Sequence, residues 1–448
     1  MKSNRTVTSF FDKEYLEYAR YVVENRAIPS CIDGLKPTQR KVVYIANKIW
    51  KTGNEKPMKL FQLAGRVAAE AFYHHGNTSL ESSMVGMAQK FKNSLPLLEG
   101  VGQFGSLRSP AAGAPRYISA KLHPNFRLLY QDFELLDNKI EEGEKIEPEH
   151  FLPIVPTVIL NGTSGIAVGF ATNILNRNPI EVVDACISEV NGKRMKTLAP
   201  WIEEFKGTFT RDLENPKTWK ISGSYQVINT NTVKITAIPP NYTYERYEEI
   251  LNLLMEKGVI ISYDDNSSET IEYVLKFRRS ILKDLISKDK LERSLRLNTQ
   301  ETENLTTIDE NGNLKIFNKA EEIVKHFVGI RLTWYQTRKD YLIDKTEKQL
   351  SLVTNKARFI KEIIDNKLKV NNVPKEKIVT YLKTNNYDTV HGSYDYLLSM
   401  AIHSLTKERY EKLLQEKEGC IIALKTIKGI NPKEMYLTDL KKLKAAIK

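Results

Sequence analysis

Cysteine is scarce in this chain of 448 residues. Cys31, Cys186 and Cys420 lie far apart and none has CxxC spacing. That argues against a disulfide framework or a zinc site and fits a reducing compartment. Long apolar runs are missing as well. No stretch approaches the ~18 residues of a membrane span, and the N-terminus, MKSNRTVTSFFDKEY, lacks the apolar core of a signal peptide. No amphipathic membrane anchor stands out, so the expectation is a soluble cytoplasmic protein without membrane association. No GK[ST] follows the glycine-rich run at 161–169, which argues against a nucleotide loop there.

Positive charge and apolar residues are both plentiful. Lys and Arg number 67 against 55 Asp and Glu, a net charge of +12, and hydrophobic residues make up 41%. The length allows two to four folded domains with real cores. The charge favours a polyanionic partner, with nucleic acid ahead of a membrane surface.

The stretch Leu98–Pro124, LEGVGQFGSLRSPAAGAPRYISAKLHP, strings glycines and cations around Tyr117 and cannot hold a long helix. Such a loop can set a phenol beside a guanidinium. A free phenol ionises only near pH ~10, so a phenol nucleophile needs a neighbouring cation. With 21 tyrosines in the chain, an ordinary exposed tyrosine on a basic loop is the competing reading.

Upstream, residues 9–25 read as a helix with Phe11, Tyr15, Tyr18 and Val22 on one face. Arg26-Ala-Ile-Pro and Asp33-Gly-Leu-Lys-Pro-Thr-Gln-Arg-Lys follow, placing Lys36, Arg40 and Lys41 at a helix start, either on phosphates or on a solvated face. A helix-turn-helix pattern comes next. Leu60, Leu63, Ala64, Val67 and Ala71 form one stripe, and Leu80, Met84, Met87, Ala88 and Phe91 a second. Between them sits Tyr73-His-His-Gly, with Thr78 and Glu81 at capping-box spacing. His74 and His75 have no cysteine or carboxylate at ligand spacing, so no metal is expected there.

Beyond the tyrosine loop, Asn125–Leu136 reads as helix, Asn138–Pro148 as an acidic connector, and residues 153–174 as a short buried strand entering a glycine-rich turn. On residue type alone, Ile166 in that turn reads as core. Residues 180–330 alternate helix and strand. Asp264, Asp265 and Glu269 cluster there, but SYDDNSSE reads as a solvated turn rather than a metal site. From Lys319 to about Val370 a helical seam runs through Ile343, Leu350, Val353, Ala357, Ile360 and Ile364. Pro374 breaks it, and a second seam follows on Tyr410, Leu413, Cys420, Leu424 and Ile427.

Four segments together resemble the type II DNA topoisomerases, the superfamily of gyrase A and eukaryotic topoisomerase II. They are RAIP…DGLKP-xx-RK, YHHG, GQFGS…PRYISAKLHP and NGxxGIAVGxAxNI. YHHG resembles the eukaryotic form, where gyrases carry YHPHG. The resemblance implies an α+β multidomain fold. Residues 1–30 would be a helical arm, 31–156 a winged-helix domain with the active-site tyrosine, and 157–330 a tower domain. Residues 331–448 would be a coiled coil with a dimer gate at about 373–406.

The resemblance further implies that Tyr117 becomes joined to a DNA 5′ phosphate, assisted by Arg116 and His75. Arg26, Lys36, Arg40, His74 and Lys121 would bind DNA, and Ile166 would wedge between base pairs. No ATP-binding motif of the GHKL type, no Toprim acid set and no gyrase-type C-terminal wrapping domain is present in these residues. The expected division of labour resembles that of large tailed bacteriophages. This chain would form a homodimer that cleaves double-stranded DNA, and partner subunits would bind ATP and hold the cleavage Mg2+ on a Toprim domain. Two other classes stay in view: a tyrosine recombinase, which makes a 3′-phosphotyrosine, and a non-catalytic DNA-bending protein.

Overall fold

The computed structural model describes residues 10–52, 56–268, 270–401 and 405–447. The chain divides into two compact units, one of residues 1–331 with 437–448, the other of residues 332–436.

The first unit opens with a helical arm. Phe10–Tyr15 and Val23–Ala27 are π-helical and flank α1 (Leu16–Val22). Of the expected apolar face, Val22 is buried while Tyr15 and Tyr18 are exposed; the Phe11 side chain lies outside what is described. The glycine turn at Asp33-Gly34 then leads to α2 (Pro37–Ile49), where proline occupies the first helical turn and Gln39 Oε1 accepts from Lys36 N at 3.0 Å.

β1 (Met58–Lys59) runs directly into α3 (Leu60–Glu70), and α4 (Asn77–Ala88) follows. Both expected stripes pack inward: Leu60, Leu63, Ala64, Val67, Ala71, Leu80 and Met84 are fully buried. Helix α4 starts two residues earlier than the capping-box spacing predicts. Gly76 is its cap, and Thr78 makes no capping bond. β2 (Leu98–Val101) and β3 (Ser119–Leu122) complete an antiparallel sheet ordered β1-β3-β2 against these helices.

Three expectations in the next stretch give way. The helix after the tyrosine loop is only Pro124–Leu129, because Tyr130–Gln131 pairs with Leu152–Pro153 as a strand. The acidic connector is a hairpin of Asn138–Glu141 with Glu144–Pro148. Residues Thr157–Leu160 form a buried helical turn where a strand was expected. The glycine-rich run then makes a hairpin, β4 (Thr163–Ile166) with β5 (Ala171–Ile174).

Helix α5 (Pro179–Val190), capped by the Asn178 side chain, leads into two further sheets. One is antiparallel, of β6 (Thr208–Arg211), β7 (Thr218–Ser222) and a later strand, Asn298–Thr302. The other has four antiparallel strands, with Ser224–Asn229, Thr232–Ala237, Tyr273–Lys276 and Ser262–Asp265 in that spatial order. Helices α6 (Tyr244–Glu256) and α7 (Arg279–Ser287) close its core through Tyr247, Leu251 and Leu282 on Val233, Ile235 and Tyr273. Of the acidic trio, Asp264 and Asp265 lie on an exposed strand and Glu269 falls outside the described residues. A last hairpin, Leu305–Ile308 with Leu314–Phe317, precedes α8.

Helix α8 (Ala320–Ile364) has 45 residues, about 68 Å at ~1.5 Å per residue. Within the second unit it runs antiparallel to α10 (Lys407–Gly429). Lys339 donates to the Lys428 and Ile430 carbonyls, Lys428 pairs with Glu347 at 2.6 Å, and Leu413 packs on Val353, Ala357 and Ile360. The residues between them, including α9 (Lys375–Thr384) after Pro374, build a small core of Leu368, Ile378, Leu382, Tyr387 and Leu397 against Phe359. A final helix, α11 (Pro432–Ala446), begins in this unit and ends in the first.

Candidate nucleic-acid interface

Tyr117 stands on a tight turn whose backbone is bonded on both sides of the tyrosine. Its own N–H donates to Ala114 O at 2.8 Å. The start of α3 supplies the rest: Leu60 N donates to Ile118 O at 3.1 Å and Phe61 N to Pro115 O at 3.4 Å. These are first-turn amides that the helix itself leaves unpaired. Lys59 Nζ donates to the Tyr117 carbonyl at 2.8 Å. The side chain of Tyr117 is 71% exposed, and Arg116 lies over its ring at 5.2 Å from the centroid. Among the described residues no hydrogen bond engages the phenol hydroxyl.

The loop entering this turn is pinned from its other side. Arg108 is buried, and its guanidinium donates to the carbonyls of Pro239 (2.8 Å), Tyr242 (2.9 Å) and Ile238 (2.7 Å). Burial pushes its pKa down to about 10, so it stays charged at neutral pH. Gly105 holds φ +80°, and a Cβ there would sit 2.7 Å from Pro110 O, so the fold of the loop demands glycine.

A cleft of about 860 Å3 gathers other expected residues. Arg26, Lys36 and His75 all line it, together with Ser79, Ser82 and Asn173. Tyr117 and Arg116 are not among its lining residues. Lys36 Nζ donates to Ser164 O at 2.6 Å, and burial lowers its pKa. This contact joins the start of α2 to the β4–β5 hairpin. Gly165 makes the approach possible, since a Cβ there would lie 2.2 Å from Ala27 O. Next to it Ile166 is 88% exposed, which overturns its reading as core from residue type alone.

The histidines differ. His75 Nε2 and the Tyr21 hydroxyl share a 2.7 Å hydrogen bond, with Tyr73 edge-on to the ring. His74 Nε2 lies 3.5 Å from Glu141 and is exposed. Lys121 pairs with its cross-strand neighbour Glu99 at 3.2 Å.

Arg40 requires a correction. It is 4% exposed, with Nε 2.6 Å and Nη2 3.0 Å from the two oxygens of a fully buried Asp33. It also donates to Leu35 O. A guanidinium so enclosed is not available to a phosphate; its work is to fold the Asp33–Lys36 turn that presents Lys36. Neighbouring Lys41 is likewise engaged, with Glu147 at 3.0 Å.

The family model that describes the A subunit of DNA gyrase/topoisomerase IV matches residues 26–444. The chain belongs to that family. It is 35% identical to the DNA topoisomerase medium subunit of Enterobacteria phage T4, over 93% of this chain and 94% of that one. It is 33% identical to the mitochondrial DNA topoisomerase 2 of Dictyostelium discoideum, over 98% of this chain but only 35% of that protein. Among solved structures, the DNA-binding, cleavage and re-ligation domain of Plasmodium falciparum topoisomerase II superposes with a TM-score of 0.86 at 33% identity. That match covers 98% of this chain and 64% of the other. The chain thus spans about a third of the eukaryotic enzymes it matches.

For a member of the gyrase A family, the acids near the tyrosine matter. On the β1–β3 sheet, Glu99 is committed to Lys121. The Cys31, Glu310 and His326 cluster is the one group of three potential metal ligands among the described residues. Its histidine is bonded through both ring nitrogens, to Lys315 (3.1 Å) and Glu310 (2.9 Å). That group contains no residue of the 98–124 stretch that carries Tyr117. No helix among the described residues is long and apolar enough to cross a membrane.

The site also holds residues that sequence reasoning did not single out. Lys59, Tyr21 and the carbonyl partners of Arg108 lie 58, 54 and 130 to 134 positions from what they touch. No local pattern marks such contacts.

Proposed function

We propose that this chain is the DNA-cleavage and religation subunit of an ATP-dependent type II DNA topoisomerase, with Tyr117 as its nucleophile. The observation that carries the reading is an exposed tyrosine on a hydrogen-bonded turn, with Arg116 over its ring at 5.2 Å, in a chain of the gyrase A family. The phenol oxygen attacks a backbone phosphorus, the bond to the 3′ oxygen breaks, and that oxygen leaves as a free 3′-OH. The 5′ end remains as a phosphotyrosine diester. Because the ester conserves the energy of the broken bond, the reverse attack reseals the strand.

Arg116 stabilises negative charge on the phenolate and the phosphoryl oxygens. His75, oriented by Tyr21, offers a hydrogen bond or proton to the same phosphate. Arg26 and Lys36 hold the duplex backbone, with His74 and Lys121 as peripheral contacts, and Ile166 inserts at a base step. Residues 31–156 act as a winged-helix domain, 157–330 as a tower, and 331–448 as a coiled coil with a dimer gate at 373–406. A homodimer cuts both strands. Partner subunits would supply ATP binding and the Toprim carboxylates that would hold Mg2+, whose charge would stabilise negative charge at the scissile phosphate. Relaxation and unknotting are the expected outcomes of passing a second duplex through the break.

The test is a denaturant-trapped cleavage assay on end-labelled duplex with Mg2+ and the ATPase/Toprim partner, comparing wild type with Tyr117→Phe. Protein joined to 5′ ends, lost in the variant, is expected. Linkage to 3′ ends would make the chain a recombinase, and no linkage would leave a DNA-bending protein.

A further inference from the structure

We propose that Lys59 is a positioning residue for the tyrosine nucleophile, a role that rests on reading Tyr117 as that nucleophile. The Tyr117 residue is 71% exposed, and among the described residues Arg116 is the cation that lies over its ring. The backbone that carries the ring therefore sets the position and direction from which the phenol reaches out. That backbone is held at both ends of the residue, by Ala114 O on the N–H and by Lys59 Nζ on the carbonyl. A bonded carbonyl fixes the peptide plane after Tyr117 and, together with the bonded N–H, the direction of the Cα–Cβ bond from which the side chain extends.

The neighbouring bonds to the turn, from Leu60 N and Phe61 N, are main-chain amides at the start of α3. Lys59 itself pairs with Ser119 across β1 and β3, so its Cα is anchored to the strand that leaves the tyrosine. Its ammonium is thus delivered by a rigid element, and the contact spans the base of the turn from the helix to the nucleophile. Lys59 is also exposed, so its removal leaves no buried group unpaired. The ammonium adds a positive charge beside a residue that carries a phosphodiester after cleavage.

A rigidly held nucleophile reacts faster than a mobile one because its orientation is settled before attack. The consequence is separable from DNA binding. Losing Lys59 slows the chemical step at saturating DNA while leaving affinity nearly intact, because Arg26 and Lys36 lie on a different element.

The experiment uses the reconstituted enzyme with its ATPase/Toprim partner, end-labelled duplex and Mg2+. Lys59→Met, Lys59→Arg and Tyr117→Phe are compared with wild type. The expected result for Lys59→Met is a single-turnover cleavage rate lowered about tenfold or more, with DNA Kd changed less than about threefold and an unchanged melting temperature. Lys59→Arg, which keeps a donor, restores the rate to within about threefold. A wild-type rate in Lys59→Met overturns the proposal. So does a loss recovered by added DNA, or a Lys59→Arg rate as slow as Lys59→Met. A drop in melting temperature that accounts for the lost rate assigns Lys59 to stability and also overturns it. Covalent product persisting in Tyr117→Phe marks failure of the nucleophile assignment itself, which the other arms leave distinct.

Discussion

Arg40→Met separates a structural cation from a DNA-binding one, and the two roles leave opposite signatures. In the native turn Asp33 accepts two bonds from Arg40, at 2.6 and 3.0 Å, plus Leu35 N at 3.0 Å and Phe151 N at 3.1 Å. The side chains are 5% and 0% exposed. Methionine keeps the volume but strands a carboxylate in a dry site with two amides and no counter-charge. Removing one member of a buried ion pair costs about 3–5 kcal/mol, because the other charge is left uncompensated. For a unit of this size that is a melting shift of about 4–7 °C.

DNA binding gives the second axis. A cation on a phosphate contributes about 0.9 to the slope of log K against log salt, because a counterion is released. Arg40→Met is expected to leave that slope unchanged once measured below its melting transition, whereas Arg26→Ala lowers the slope by about 0.9 with no loss of stability. The assays are differential scanning calorimetry and fluorescence anisotropy across a salt series. An Arg40→Met protein that melts like wild type and shows a shallower salt slope would refute the argument, and would return Arg40 to the DNA interface.

Three further outcomes follow from the same geometry. Burial lowers the pKa of Lys36 from the ordinary 10.5, and its phosphate contact needs the proton. Affinity is therefore full below the folded-state pKa and falls as pH rises through it, a decline beginning earlier than for exposed lysines; Lys36→Arg abolishes it in an anisotropy titration over alkaline pH. Ile166→Ala changes stability by less than about 0.5 kcal/mol, since the side chain is already solvated. It reduces duplex bending measured by energy transfer between labelled DNA ends. Arg108→Met leaves three carbonyls without their donor at a cost of about 3 kcal/mol or more to loop docking. Amide exchange over residues 103–117 rises in consequence, and cleavage falls with it.

Much of the helical framework was legible because its signal is local. Leu60, Leu63, Ala64 and Val67 recur at helical spacing and are all fully buried, and the seam through Val353, Ala357 and Ile360 likewise meets Leu413. Where side-chain chemistry and strand alternation disagreed, the reading went wrong. The Asn138–Pro148 hairpin is rich in glutamate and its first strand buries no residue, so it looked like a linker. Tyr130 follows a helical run without a break residue, yet it is drawn into a strand by Leu152–Pro153, far along the chain.

The cations show the deeper reason. Arg26, Lys36, Arg40 and Arg108 are equivalent as letters: long, charged and set among glycines and prolines. What distinguishes them is which acceptors the fold brings to each. Arg40 meets Asp33 through a turn that doubles the chain back over seven residues, and Arg108 meets three carbonyls 130 to 134 positions away. Arg26 meets no carboxylate among the described residues and stays exposed in the cleft. A buried guanidinium needs a complete set of acceptors, whereas one that binds phosphate must keep its donors uncommitted until DNA arrives. Those two requirements exclude each other at any one residue. Composition reports how many cations a chain carries, but only tertiary pairing decides which remain for the phosphates.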